Sequence, residues 1–110
     1  MLVIKIPESI YVSGPMTDYE NWNYDEFDAA ARQLKTQGWK HVANPVDHKS
    51  FNEACIERDD ISTLALYDLS MVCQCSAIYL LRGWEKSIGA RAEHATAVWI
   101  GLNVIYQGYK

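Results

Sequence analysis

Apolar residues along the chain fall into short runs and spaced stripes, and the alternation between the two predicts its elements. Ile10–Ser13 is a short apolar run closed by Gly14–Pro15, the mark of a buried strand. Residues 2–6, apolar but for Lys5, add an edge strand or an extension of that strand. From Tyr24 the period changes: Phe27, Ala30, Ala31 and Leu34 recur at helical spacing, with Asp25, Glu26, Asp28, Arg32 and Lys35 between them. Asn21 or Asn23 can cap this helix, and Gly38 stops it.

Trp39–Ala43 reads as a second strand, ended by Asn44–Pro45, and residues 46–53 as an irregular connection. Helical spacing returns near Ala54 and runs through Ile61, Leu64, Ala65 and Leu69 to Val72, as two helices or one broken helix. Ser76–Leu81 is an unbroken apolar run of the kind buried on both faces, entering Arg82–Gly83. Ser87 to about Trp99 is helical, with Ile88, Ala92, Ala95 and Val98–Trp99 as the expected packing positions. Gly101 ends it, and Leu102–Tyr106 is the last strand. The order strand–helix–strand–helix–strand–helix–strand predicts one α/β domain with a parallel sheet covered on both sides.

Composition narrows the function classes. Hydrophobic types make up 49% and charged types 22%, which is globular and not disordered. The net charge is −4, and residues 1–30 carry six acids against Lys5 alone. No stripe of Lys and Arg could track a phosphate backbone, so a nucleic-acid polymer is not an expected partner. Pro7 and Glu8 end the first apolar run too early for a signal-peptide core or a membrane span. Cys55, Cys73 and Cys75 make neither an even disulfide set nor a C-x-x-C pair, which suggests reduced thiols and a cytoplasmic protein. His41, His48 and His94 have no zinc-site spacing, so neither metal nor cofactor is expected.

Open parallel sheets bind ligands beyond the carboxyl ends of their strands, where Ser13–Thr17, Asn44–His48 and Arg82–Ser87 are expected to lie. Ser13-Gly14-Pro15-Met16-Thr17 lies there but is neither a dinucleotide fingerprint nor a P-loop, and an ordinary tight turn competes with a ligand role. In Trp84-Glu85-Lys86-Ser87-Ile88-Gly89, Ser87 can cap a helix whose N–H groups would suit a phosphate. Gly89 in a first helical turn costs about 1 kcal/mol relative to Ala, which a close backbone approach would explain. Glu93 lies one turn further along the same face. Trp84 could cover a base or pack half-buried. Asp68 stands in an apolar stretch, as a solvated or capping aspartate or as a functional acid.

Three segments together resemble one family: Tyr11-Val12-Ser13-Gly14-Pro15-Met16-Thr17, the stretch from Asp68 to Leu81, and Gly83-Trp84-Glu85-Lys86-Ser87-Ile88-Gly89-Ala90 followed by Glu93. They are similar to small phage and bacterial proteins described as a domain of unknown function. That group is related to the nucleoside 2-deoxyribosyltransferases and the deoxynucleoside-monophosphate N-glycosidases. The resemblance covers nearly the whole chain from Ile10. It implies a three-layer flavodoxin-like parallel sheet of core order 2-1-3-4 in a single nucleoside 2-deoxyribosyltransferase-like domain. It also implies a homodimer or higher oligomer, and action in the cytoplasm (the host's, for a phage-encoded member).

The resemblance assigns roles residue by residue. Tyr11 would lie near the sugar, and Ser13, Gly14 and Met16 would help enclose the ligand. Asp68 would act on the leaving base, Ser87 would hold a 5′-phosphate, and Glu93 would be the nucleophile; Trp84 and Gly89, singled out above from the residues themselves, are expected beside Ser87. The implied activity is N-glycoside hydrolysis or deoxyribosyl transfer on a nucleoside or its 5′-monophosphate, with Glu93 kept ionised by the positive end of its helix. The competing class is a non-catalytic nucleotide-binding or host-protein-interacting accessory domain. Three departures stand out. Ser76 replaces an aspartate that opens the third strand, and Pro15-Met16-Thr17-Asp18 stands where some monophosphate enzymes carry an arginine-rich phosphate loop. The loop between Ser76 and Glu93 is also slightly longer than in those enzymes, which changes the expected pocket around Trp84.

Overall fold

The structure is a computed structural model and describes residues 2–108. Four strands, β1 (Ser9–Ser13), β2 (His41–Ala43), β3 (Ala77–Leu80) and β4 (Asn103–Tyr106), form one sheet of order β2-β1-β3-β4. Every pairing is parallel, with Tyr11 opposite both Ala43 and Ile78. Four α-helices join them: α1 (Tyr24–Thr36), α2 (Lys49–Glu57), α3 (Ile61–Gln74) and α4 (Ile88–Ile100). The architecture is α/β and compatible with a flavodoxin-like fold.

Strand alternation sorts the core into two layers. Ile10 and Val12 point to the α1 side, where they pack with Phe27, Ala30 and Leu34. Tyr11 points the other way and packs with Val72, Ile78 and Ala97 from α3, β3 and α4. The opening of β3 is clamped to β1 by paired serines. Ser76 Oγ donates to the Ser9 carbonyl at 2.8 Å and accepts from the Ser9 N–H at 3.1 Å. Ser9 Oγ accepts in turn from the Ser76 N–H at 2.9 Å. Ser76 thus ties the two inner strands together.

Four local expectations need correction. Residues 2–6 add no strand; the segment is pinned instead by the Ile6 N–H on the Gln74 carbonyl at 2.8 Å and by Lys5 Nζ on the Cys75 carbonyl. Asn23 occupies the N-cap position of α1 without a side-chain cap bond, because its backbone is left-handed and its amide donates to the Pro15 carbonyl at 2.9 Å. Residues 46–53 are not irregular: a short 3₁₀ turn at Pro45–His48 leads into α2 at Lys49. Only Asn52 and Cys55 of α2 are buried, so a polar residue holds half of its inner face and no apolar stripe announces it.

The fourth correction is the phase of α4. Its buried residues are Ala90, Glu93 and Ala97, whereas Ile88, Ala92, Ala95, Val98 and Trp99 are exposed. The small alanines let the helix approach the sheet closely, and the larger apolar stripe faces outward. Ile88 is 85% exposed and Trp99 87%. The helical segment after Ala54 resolves into two helices. Left-handed Asp59 breaks the chain, and Asp60 restarts it by accepting from the Thr63 N–H at 3.2 Å.

Candidate functional site

Tyr11 and Ser13 lie two residues apart on β1, so both side chains leave the same face of the sheet. That face meets the second turn of α4, where Glu93 is 8% exposed. The Tyr11 hydroxyl donates to Glu93 Oε2 at 2.8 Å, and Ser13 Oγ donates to Oε1 at 2.6 Å. Both carboxylate oxygens are therefore held by hydroxyls from one strand. The carboxyl plane is fixed before any ligand arrives.

Burial pushes the Glu93 carboxyl up to about 7, the charge of Asp68 adds to that rise, and the two hydroxyl donors oppose it. The expected effect of the helix end in keeping Glu93 ionised is thus outweighed by desolvation. Asp68, on α3, is pushed up to about 6 by partial burial. Tyr11 is raised well above its ordinary value, first by burial and then by the charges of Glu93 and Asp68. Tyr11 thus feels both carboxylates. The arrangement is a pair of acids on different helices, each raised toward neutrality by burial, with both charges acting on one tyrosine.

Beside this group is a cavity of about 10 Å³ lined by Tyr11, Asn44, Asn52, Tyr67, Asp68 and Met71. It lies where the end of β2 meets α2 and α3. Tyr67 is packed by His48 at 5.3 Å and by Phe51 at 4.9 Å between ring centroids. Larger hollows are open and elsewhere. One of about 410 Å³ runs past Tyr19, Arg82 and Gln107, and one of about 550 Å³ lies over Trp84, Ile88 and Arg91. Among the described residues, no three His, Cys, Asp or Glu side chains gather as metal ligands, and no helix is long and apolar enough to cross a membrane.

The other expected site residues are distributed unevenly. Ser87 caps α4 through Ala90 N–H at 3.2 Å. Gly89 is exposed, with open space where a Cβ would stand. Trp84 packs against the Tyr11 side of the core and stacks on His94 at 4.3 Å, and His94 hydrogen-bonds Tyr106 at 2.9 Å. Gly14 is explained by packing, since a Cβ there would stand 2.8 Å from Leu81 Cβ. Met16 packs on the opposite, α1 side of the sheet, away from Glu93. The fold therefore gathers Tyr11, Ser13, Asp68 and Glu93, and leaves Met16 out.

Sequence reasoning placed Asn44 in a segment at the carboxyl edge of the sheet but missed the wall contributed by Asn52, Tyr67 and Met71. Asn44–Pro45 at a strand end was the one available signal, because it places an Asx-type turn at the sheet's carboxyl edge. Asn52 carried no signal. It became a wall residue only when α2 folded over the end of β2.

A four-stranded parallel α/β fold with a buried glutamate and a half-buried aspartate beside one sheet face is the class that this geometry defines. Within it, residues 8–106 match the family described as a domain of unknown function (DUF4406), and the chain belongs to that family. No curated protein and no solved structure matches the chain.

Proposed function

We propose that the protein cleaves or transfers the N-glycosidic bond of a deoxynucleoside or its 5′-monophosphate, with Glu93 as nucleophile and Asp68 as general acid. The observation that carries this reading is the Glu93 carboxylate held by both Tyr11 and Ser13 on the sheet face that also feels Asp68. In its ionised form Glu93 attacks C1′ as the C1′–N bond breaks, and the bonding electron pair leaves with the base. Asp68 delivers its proton to the departing base nitrogen. Water then attacks C1′, Asp68 takes back a proton, and the Glu93 carboxylate is released; a second base in place of water gives transfer. Ser87 and the first N–H groups of α4 would receive a 5′-phosphate.

The protein acts as a homodimer in this reading, joined through the outward apolar stripe of α4. Such a stripe, with Ile88 and Trp99 each more than four-fifths exposed, is costly for a monomer to leave in water. The same stripe favours the second reading, a non-catalytic domain that binds a host protein.

Free-base release from a panel of deoxynucleosides and their 5′-monophosphates, followed by chromatography, is the deciding experiment. Release from at least one member is expected, with a loss of about 100-fold or more on Glu93→Ala. A panel in which no member is cleaved by the wild type would reject the glycoside reading in favour of the binding domain.

A further inference from the structure

Asn52 is 6% exposed and stands at the wall of the small cavity beside Tyr11 and Asp68. Its amide nitrogen donates to the Pro45 carbonyl at 3.1 Å, while its Oδ1 is buried without any partner. Among the described residues it is the one buried side-chain oxygen or nitrogen left so. Turning the amide over would not help, because it would set Oδ1 against the Pro45 carbonyl, acceptor to acceptor. The orientation is thereby fixed, and the one side-chain group of Asn52 left without a partner is an acceptor. Asn44 on the same wall is different: it donates to Asp28 and accepts from the Val46 N–H, so both ends of its amide are in use.

We propose that Asn52 reads the leaving base, its side-chain carbonyl accepting a hydrogen bond from an exocyclic amino group. This rests on the glycoside reading above and gives it a substrate class: amino-bearing bases such as cytosine and adenine, in preference to their keto counterparts. A cavity of about 10 Å³ holds one water-sized group, which an amino substituent is and a ring is not. The ring then lies toward Tyr11 and Asp68, where its glycosidic nitrogen is to be protonated. A keto oxygen in the same place would face Oδ1 with no hydrogen between them, and the buried acceptor would stay unpaired.

The test compares wild type with Asn52→Leu on two substrate pairs, the deoxycytidine and deoxyuridine monophosphates and the deoxyadenosine and deoxyinosine monophosphates. The wild type is expected to favour the amino member of at least one pair by about 10- to 100-fold in kcat/KM. Asn52→Leu should bring that ratio close to one by slowing the amino member. A wild-type ratio near one, or in favour of the keto member, overturns the inference without recourse to any variant. So does an equal loss on both members in Asn52→Leu, the sign of a purely structural asparagine or of one that only holds a water. If nothing is cleaved, the glycoside reading fails separately. Calorimetric binding of the same pairs to the wild type then decides: tighter binding of the amino member sustains the role of Asn52, and equal or absent binding ends it.

Discussion

The Tyr11 hydroxyl and Glu93 Oε2 are joined by a 2.8 Å hydrogen bond across 82 positions of sequence. That bond and its neighbour from Ser13 tie the first strand to the last helix. They also hold an acid in a place where ionisation is opposed. The consequence reaches both stability and chemistry.

The stability consequence follows from linkage. Glu93 sits at about 7 in the fold against an ordinary 4.5, so the folded state holds this proton more tightly than the unfolded chain. Its contribution is fully present below about 4.5 and is lost as pH rises through about 7. Glu93→Gln keeps a side chain that can pair with both hydroxyls and has no charge to bury. We expect it to be more stable than the wild type at pH 8 by roughly 2 kcal/mol, with the difference shrinking toward pH 4. Thermal melts of both proteins across that range check this. A wild type equally stable to the variant at every pH would mean that Glu93 is solvated in the fold.

The same pair governs rate in the proposed chemistry. The active form carries one proton between Asp68 and Glu93, whose values lie near 6 and near 7. The profile of kcat/KM should be bell-shaped with its maximum between those values, and each limb belongs to the pair rather than to one residue. Tyr11→Phe removes a donor to the carboxylate, which should lower the rate about 10-fold and move the maximum to higher pH. Initial rates of base release from pH 5 to 9 test both statements, and an unmoved maximum in Tyr11→Phe would separate Tyr11 from the titrating pair.

The outward stripe of α4 makes a prediction about assembly. The wild type should sediment as a dimer at micromolar concentration, and Trp99→Glu should sediment as a monomer with an unchanged melting temperature in dilute solution. Trp99 is 87% exposed within one chain, so the substitution disturbs no intramolecular packing. A monomeric wild type would remove the homodimer from the proposal.

Gly14 provides a test of packing without reference to chemistry. A Cβ there would stand 2.8 Å from Leu81 Cβ and 2.9 Å from its Cδ1, at the point where the Leu81 N–H bonds the Ser13 carbonyl. Gly14→Ala must push the ends of β1 and β3 apart, and should cost about 1–3 kcal/mol in chemical denaturation. A neutral result would show that the loop after β1 can yield.

Local pattern was enough for the framework of this protein. The apolar runs at Ile10–Ser13 and Ser76–Leu81, the helical spacing from Phe27 to Leu34, and the alternation of strand and helix specify an α/β chain with a parallel sheet, whereas the order β2-β1-β3-β4 was implied by the family resemblance alone and is the order the structure shows. These features are legible because burial of a strand or a helix face is written in residues two, three or four apart. Tertiary structure decided everything that depends on which face meets which partner. The stripe at Ile88, Ala92, Ala95 and Trp99 has a clear helical period, yet α4 turns Ala90, Glu93 and Ala97 inward, because small side chains allow the closest approach to the sheet. Period reveals a face but not its direction. Residues 46–53 hid a helix because its inner face is held by Asn52, and Asn52 gained an environment only when α2 closed over the end of β2. The raised affinity of Glu93 for its proton likewise belongs to no segment, since it arises from water excluded by β1 and α4 packed together.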